Sequence, residues 1–176
     1  MKRPPVLSPA FVAGVLCCLP TPSAAETVYV QLRSTEEVPS ISSTARGAFS
    51  ARISNGGGQL TYVLRYSGLQ SEARQAHIHF GQRGVNGGVS VFLCQTAANP
   101  DPAGLAPTCP ASGSVSGLLT SSNVIGPAGQ GLSPGEFAEL VAAIRAGVAY
   151  VNVHSTTFPG GELRGQLNAF RNFFVH

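Results

Sequence analysis

Apolar and polar residues alternate along several short stretches of the chain, with a period of two residues. Neighbouring side chains of a β-strand point to opposite faces, so this alternation predicts half-buried strands with one face on a core. The clear stretches are 28–33, 60–66, 75–80, 149–154 and 162–169, and weaker ones are 47–53, 89–93 and 114–119.

Turn-forming sequences stand between these stretches, at 54–58, 86–88 and 159–161. Their Asn-Gly and Pro-Gly pairs supply the positive φ angles that tight turns require. About eight short strands joined by such turns predict a mostly β protein, an antiparallel Greek-key β-sandwich or barrel. No linker or repeat divides the chain, which indicates a single domain.

One helix interrupts the β pattern. Ser133 is placed to cap it, with Pro134 at its first position and Glu136 at its third. Apolar residues follow at helical spacing, and Gly147 is expected to end the helix. We expect this short helix to cover the sandwich or one of its ends. The apolar residues are Phe137, Leu140, Val141 and Ile144.

The first 25 residues differ from the rest of the chain. Two basic residues precede an apolar run at 10–19, and small residues occupy the −3 and −1 positions of a cut after Ala25. This arrangement predicts a secretory signal peptide at 1–25, followed by a β domain at 26–176. A retained membrane anchor is the alternative, which the shortness of the apolar run disfavours.

The charge composition mainly excludes certain kinds of partner. Only 11% of the residues are charged, and the net charge is +3. Cleavage removes Lys2 and Arg3, which leaves nine arginines against eight acidic residues and a net charge of +1. No lysine remains and the basic residues form no run in the sequence. We therefore expect neither a nucleic-acid partner nor, after signal cleavage, a membrane partner.

Cys94 and Cys109 are the cysteines that remain after cleavage. An even pair in an exported protein is most simply a disulfide, here around a loop rich in proline and alanine. A redox-active dithiol is the alternative, but its usual C-x-x-C spacing is missing. The pair and the leader together predict an extracytoplasmic location, periplasmic or secreted.

Three histidines are the strongest candidates for chemistry. His77 and His79 are two residues apart in a predicted strand, so both imidazoles project from the same face. His154 ends another predicted strand, and Asn152 shares its face. If the two strands are neighbours, three neutral nitrogens can converge on a copper or zinc ion. The alternative is that all three are ordinary hydrogen-bonded histidines on strand faces.

Glu162 and Arg164 also share a strand face, and an arginine fork can hold a carboxylate. They are expected to pair with each other or to support the histidines, since a carboxylate can fix an imidazole tautomer. No nucleophile elbow, phosphate loop or dinucleotide fingerprint is present. We therefore assign no catalytic residue and expect binding more than turnover.

Several segments resemble a known family. Glu37-Val38-Pro39, Ala76-His77-Ile78-His79, and the terminal segment from Tyr150 to His154 with 159–167 are similar to the CHRD domain, over about 28–170. The segment around Cys94 and Cys109 is similar to that of bacterial members. The resemblance implies a secreted β module of the kind found singly in bacterial proteins, without an established reaction.

A looser resemblance concerns copper/zinc superoxide dismutases. The segments 66–69 and 76–81 are similar to the strand of those enzymes that carries two copper-binding histidines. The resemblance implies copper ligation by His77 and His79, with His154 as a further ligand. The chain lacks a bridging histidine after the pair, a zinc-binding loop and a match to the active-site arginine. Those differences argue against dismutation and leave a reduced, three-histidine copper site.

The sequence thus supports three hypotheses. The favoured one is a secreted CHRD-type binding module that holds copper or zinc at the three histidines. The second is a copper-dependent redox enzyme related to the dismutases. The third is a structural or protein-interaction module whose partner the sequence does not identify.

Overall fold

A computed structural model describes residues 25–171, with side chains up to residue 168. The signal peptide predicted for 1–25 lies outside the described residues, apart from Ala25. The described part of the chain contains nine strands and one α-helix. They are β1 (Glu26–Arg33), β2 (Arg46–Ile53), β3 (Leu60–Ser67), β4 (Ala73–Phe80), β5 (Gly88–Cys94), β6 (Gly113–Leu119), α1 (Phe137–Arg145), β7 (Ala149–Ser155), β8 (Leu163–Gln166) and β9 (Ala169–Arg171).

All strands belong to one antiparallel sheet, in the order β5-β4-β7-β8-β1-β2-β3-β6, with β9 paired to β1. The chain returns after β6 to insert β7 between β4 and β8, a crossover of the Greek-key type. The sheet curls until its two end strands nearly close a barrel. The predicted antiparallel β fold with one short helix is therefore confirmed.

Two contacts link the two ends of the sheet, one through β3 and one through the loop before β6. The hydroxyl of Tyr62 on β3 donates a hydrogen bond of 2.6 Å to the carbonyl of Leu93 on β5. A disulfide joins Cys94, the last residue of β5, to Cys109 in the loop that leads to β6. These links stand where a further row of backbone hydrogen bonds would otherwise be needed to close the barrel.

The core fills the concave side of the sheet. Phe49, Leu64, Ile78 and Val151 are fully buried there, each on a different strand. The helix α1 packs against β7 and β9 and adds its apolar face to the same core. No helix in the part of the chain that the structure describes is long and apolar enough to cross a membrane.

The helix begins three residues later than the sequence predicted. Gly135 has a φ of +88°, a left-handed conformation that cannot belong to a right-handed helix, so α1 starts at Phe137. The Glu136 carboxylate accepts a hydrogen bond of 2.7 Å from the Ser133 backbone N–H. The expected capping contact thus closes a turn ahead of the helix. Gly147 ends the helix as predicted, with a φ of +70°.

Two strand expectations are corrected by the structure. The stretch 162–169 is not continuous, because β8 ends at Gln166 and β9 begins at Ala169. The prediction of half-buried strands holds for β1 and β3 but is wrong for β7, in which all seven residues are buried. Loops cover the outer face of β7 and of its neighbour β4, and the candidate site lies beneath them.

Replacement of Cys94 and Cys109 by serine is expected to lower the free energy of unfolding by about 3 kcal/mol, because a loop with a sequence separation of 15 residues is no longer closed in the unfolded chain. Urea denaturation of the oxidised wild type and of the double variant measures this difference. Reduced wild type should match the variant. A difference below about 0.5 kcal/mol would contradict the stabilising role.

Candidate metal centre

The antiparallel register between β4 and β7 brings the three histidines to one face of the sheet. His77 pairs with Asn152, and the neighbouring pairs place His79 opposite Tyr150 and Gln75 opposite His154. Paired residues project to the same side, so the imidazoles of both strands share the convex outer face. The apolar residues of alternate parity on the same strands, Ile78, Val151 and Val153, face the core.

One ring nitrogen from each histidine lies within 4.8 Å of those of the other two. His77 Nδ1 and His154 Nε2 are the closest pair, at 3.1 Å. Two nitrogens bonded to one zinc ion at about 2.1 Å each are at most about 4.2 Å apart. The closest pair therefore already has the spacing of two ligands, and His79 needs only a small movement to join them.

Backbone carbonyls fix the orientation of two of the rings. His79 Nδ1 lies 2.9 Å from the carbonyl oxygen of Gly87, and His154 Nδ1 lies 2.9 Å from that of Pro159. A carbonyl oxygen only accepts hydrogen bonds, so both Nδ1 atoms carry the proton and both Nε2 atoms keep a lone pair. Such outer hydrogen bonds typically select the ligand nitrogen of metal-binding histidines.

Two buried ring nitrogens have no hydrogen-bond partner. They are the Nε2 atoms of His77 and His79. Leaving a buried polar atom unpaired typically costs about 1–3 kcal/mol, which is why such atoms are rare in folded proteins. An ion bonded to the converging nitrogens would give His79 Nε2 its missing partner, whereas His77 Nε2 lies on the other side of its ring from the converging Nδ1.

Aromatic rings seal the cluster from solvent. The ring of Phe92 packs edge-on to His77 at 4.2 Å between centroids, and Tyr150 stacks on His79 at 4.7 Å. As a result His77, His79 and His154 are only 2%, 7% and 6% exposed. The site is a closed one, and its donors are neutral imidazoles.

Burial keeps the three imidazoles neutral. It lowers the pKa of His77 to about 2 and that of His154 to about 4, and repulsion between the neighbouring imidazolium forms acts in the same direction. Burial lowers the pKa of His79 as well. Neutral nitrogens are the form that binds copper and zinc.

Arg164 reaches the site through a neighbouring side chain. Its guanidinium carbon lies 3.4 Å from the centre of the Tyr150 ring, on which His79 also stacks. The same guanidinium donates hydrogen bonds to the carbonyls of Gln82 and Val85, at 3.3 and 2.7 Å. Arg164 thus holds in place the loop between β4 and β5, whose Gly87 carbonyl orients His79.

Glu162 lies apart from the histidines. Its Oε1 accepts hydrogen bonds from the Ser43 hydroxyl and the Gln70 backbone N–H, at 2.6 and 2.9 Å. The structure therefore gives Glu162 and Arg164 separate partners. Asn152, the remaining candidate, lies inside the cluster, with Oδ1 3.0 Å from His154 Nε2.

Sequence reasoning missed three contributors. The sequence places Tyr150 and Phe92 only in predicted strands and Gly87 only in a turn. A Cβ atom on Gly87 would lie 1.7 Å from the Phe80 carbonyl oxygen, so this close backbone approach needs glycine. The Asn-Gly-Gly sequence signalled a turn there, but only the tertiary structure shows that its carbonyl orients a histidine.

Glu37 is a fourth residue that the sequence did not assign to the site. It is buried, and its Oε1 has no hydrogen-bond partner. Burial raises the pKa of Glu37 to about 7, although the positive charge of Arg164 opposes this shift. The family resemblance included the segment Glu37-Val38-Pro39, which was the only available signal.

Without bound metal, the protein is expected to lose stability as the pH falls from about 7 to 5. The unfolded histidines bind protons near pH 6.5, whereas His77 and His154 stay neutral in the folded state because burial lowers their pKa values to about 2 and about 4. Each contributes a loss of about 1.4 kcal/mol per pH unit. Glu37 opposes them, because its folded form binds a proton near pH 7 and its unfolded form near 4.5.

His77 and His154 less Glu37 leave a net slope of one proton, about 1.4 kcal/mol per pH unit, and the lowered pKa of His79 adds to it in the same direction. Urea denaturation in EDTA at several pH values measures it. His154→Asn should reduce the slope by about 1.4 kcal/mol per pH unit, and Glu37→Gln should increase it by a similar amount. Constant stability over this range would show that the buried imidazoles do not control acid unfolding.

Comparison with known proteins gives one match. The family model of the CHRD domain matches residues 28–167, which include β2 to β8, the helix and all three histidines. No curated protein and no solved structure shows a significant match. The matched region covers most of the chain and agrees with the extent of the resemblance read from the sequence. The chain belongs to the CHRD domain family.

Proposed function

We propose that this protein is an extracytoplasmic binding module that holds one copper or zinc ion through His77, His79 and His154. The observation that supports this most directly is the convergence of one ring nitrogen from each of three buried histidines to within 4.8 Å of the others. One buried ring nitrogen of the cluster, His79 Nε2, has no hydrogen-bond partner. A structural role alone would leave the energetic cost of the unpartnered His79 Nε2 uncompensated.

The geometry supports a site for a single ion. Three points no more than 4.8 Å apart lie within about 2.8 Å of a common centre, compared with a metal–nitrogen bond of about 2.1 Å. A shift of each ring nitrogen by a few tenths of an ångström to one ångström closes that difference. Three neutral nitrogens without a thiolate suit copper and zinc, since imidazole is a good ligand for both.

The surroundings favour retention of the ion over turnover. The three histidines are nearly inaccessible, and a catalytic metal needs an open coordination position that substrate can reach. Two clefts of about 580 and 470 Å³ lie elsewhere on the sheet, and no histidine lines them. This arrangement supports a binding module over the copper-dependent redox enzyme.

The proposed location rests on two features. A disulfide between Cys94 and Cys109 is typical of proteins that mature outside the cytoplasm. The basic, apolar and small-residue pattern of the first 25 residues is that of an export signal. Copper and zinc at this site would accordingly be acquired in the periplasm or beyond.

Purified protein is expected to take up about one copper or zinc ion per chain, because the three imidazoles form one set of ligands. The double variant His77→Ala/His79→Ala should lose more than about 100-fold in affinity, since two of three ligands are removed. Elemental analysis after dialysis measures the stoichiometry, and a competing chelator measures the affinity.

His176→Ala is the matched control, because it removes the histidine of the sequence that is not among the three proposed ligands, and it should bind the ion like the wild type. Circular dichroism of the double variant checks its fold. Cobalt(II) absorption of the wild type provides a second measurement, since few-coordinate nitrogen ligation gives intense visible bands. Unchanged uptake by a folded double variant, or no uptake by the wild type, would refute the proposed site.

Copper-loaded protein is expected to consume superoxide no faster than an equal concentration of EDTA-chelated copper, because the closed cluster offers substrate no route to the ion. Pulse radiolysis or a competitive dye assay measures the rate after free copper has been removed. A rate well above that of chelated copper would favour the redox enzyme and contradict the retention role.

A further inference from the structure

Arginines without an acidic partner are concentrated on one face of the sheet. Among the arginines whose side chains the structure describes, Arg83 pairs with Glu36 and Arg145 with Glu26. Arg74 donates to the Asn99 side chain, and Arg164 is occupied by the loop beside the histidines. Four exposed arginines remain, all on the outer face of β1, β2 and β3: Arg33, Arg46, Arg52 and Arg65.

Three of these four form a row across the strand ends. Arg33 on β1 lies directly opposite Arg46 on β2. Arg65 on β3 pairs with Ala48, which places it diagonally next to Arg46. Directly opposed side chains of a sheet are about 5 Å apart and diagonal ones about 7–8 Å. Like charges at that spacing repel each other, and no carboxylate of the described residues forms an ion pair with them.

Two clefts run along this arginine row. One, of about 580 Å³, extends from Arg33 to Arg46 and towards the loop after β1. The other, of about 470 Å³, extends from Arg46 to Arg65 and towards β6. They share Arg46, Gly47 and Ala48, so together they form one shallow groove over four strands. We call it the arginine groove.

Hydroxyl groups make up much of the rest of its lining, and acidic side chains are missing from it. The exposed residues with aliphatic hydroxyl groups are Thr35, Thr44, Ser67, Ser112 and Ser114. Tyr29 lies at the edge, and its side chain is 58% exposed. Cations, hydroxyl groups and an exposed aromatic ring occur together only in this part of the described surface.

We infer that the arginine groove binds an acidic polysaccharide, a sugar chain that carries carboxylate or sulfate groups. The planar guanidinium fork matches such oxyanions in two parallel hydrogen bonds, which an ammonium group does not. The serine and threonine hydroxyls can bond to the sugar hydroxyls between the charges. A compact ion contacts only Arg33 and Arg46, whereas a chain extends on to Arg65.

The composition of the groove favours a sugar chain over two other polyanions. Binding to an anionic membrane surface usually needs apolar anchors, and the other exposed large apolar residues, Val85, Leu105 and Leu118, do not line the groove. Single-stranded nucleic acid needs rows of aromatic rings on which the bases stack. Tyr29 is the single exposed aromatic residue in the lining.

Alginate, a linear polyuronate, is the probe for this proposal, and EDTA removes any effect of metal ions. Calorimetric titration of the full mature protein should show binding that weakens as salt is added, because counterions are released from the polyanion. Arg46→Gln should weaken binding by about tenfold, since it removes charge-assisted hydrogen bonds at the centre of the groove.

Arg52→Gln is the matched control, because it removes an equal charge from the same strand and face about 20 Å along β2. Its affinity should stay within about twofold of the wild type. Equal losses of alginate affinity in both variants would show that net charge alone causes the effect, and would refute the groove as the binding site. Absence of alginate binding, or tighter binding of phosphatidylglycerol vesicles, single-stranded DNA or inorganic sulfate, would overturn the inference. Dextran, an uncharged sugar chain, should not bind.

Discussion

The register between β4 and β7 is the constraint on which the candidate metal centre depends. It sets His77 and His79 beside the strand that carries His154, and it sets Ile78 and Val151 on the core side. A slip of one residue would move every side chain of a strand to the opposite face. The apolar core therefore enforces the arrangement of the histidines, because a slipped register would bury polar groups in the barrel and expose its apolar residues.

The loop between β4 and β5, together with Arg164 and Tyr150, covers this face and keeps the imidazoles buried and neutral. Arg164 is nearly inaccessible, yet it forms no ion pair among the described residues. It is satisfied by loop carbonyls and by the Tyr150 ring, which in turn stacks on His79. This contact chain joins the loop to the sheet and excludes water. Burial of the imidazoles has an energetic cost, which is seen in their unpartnered nitrogens and in their lowered pKa values. Stability is gained elsewhere, in the core and at the disulfide.

Local pattern was sufficient to predict the strands and the three histidines but not their environment. A period of two shows that alternate residues of a strand differ in polarity and point to opposite faces. His-x-His therefore predicted that both imidazoles share a face. It does not report which strands become neighbours, since the pairing of β4 with β7 joins segments about 75 residues apart. Nor does it reveal loops that fold back over a polar face, so β7 was expected to be half exposed. Glu162 and Arg164 share parity, but different loops approach them and give them different partners.

The outer surface of one sheet thus carries two regions with opposite properties. Over β4 and β7 the loops close on neutral nitrogens, and burial suppresses charge. Over β1 to β3 the arginine groove stays open, and its charges face solvent without carboxylate partners. Arg33 and Arg164 are paired across β1 and β8 at the boundary between the two regions. These two arginines on neighbouring strands therefore have different environments. A loop covers Arg164, whereas none of the described segments buries Arg33. In a charge-poor chain, loop placement more than composition decides where chemistry is available.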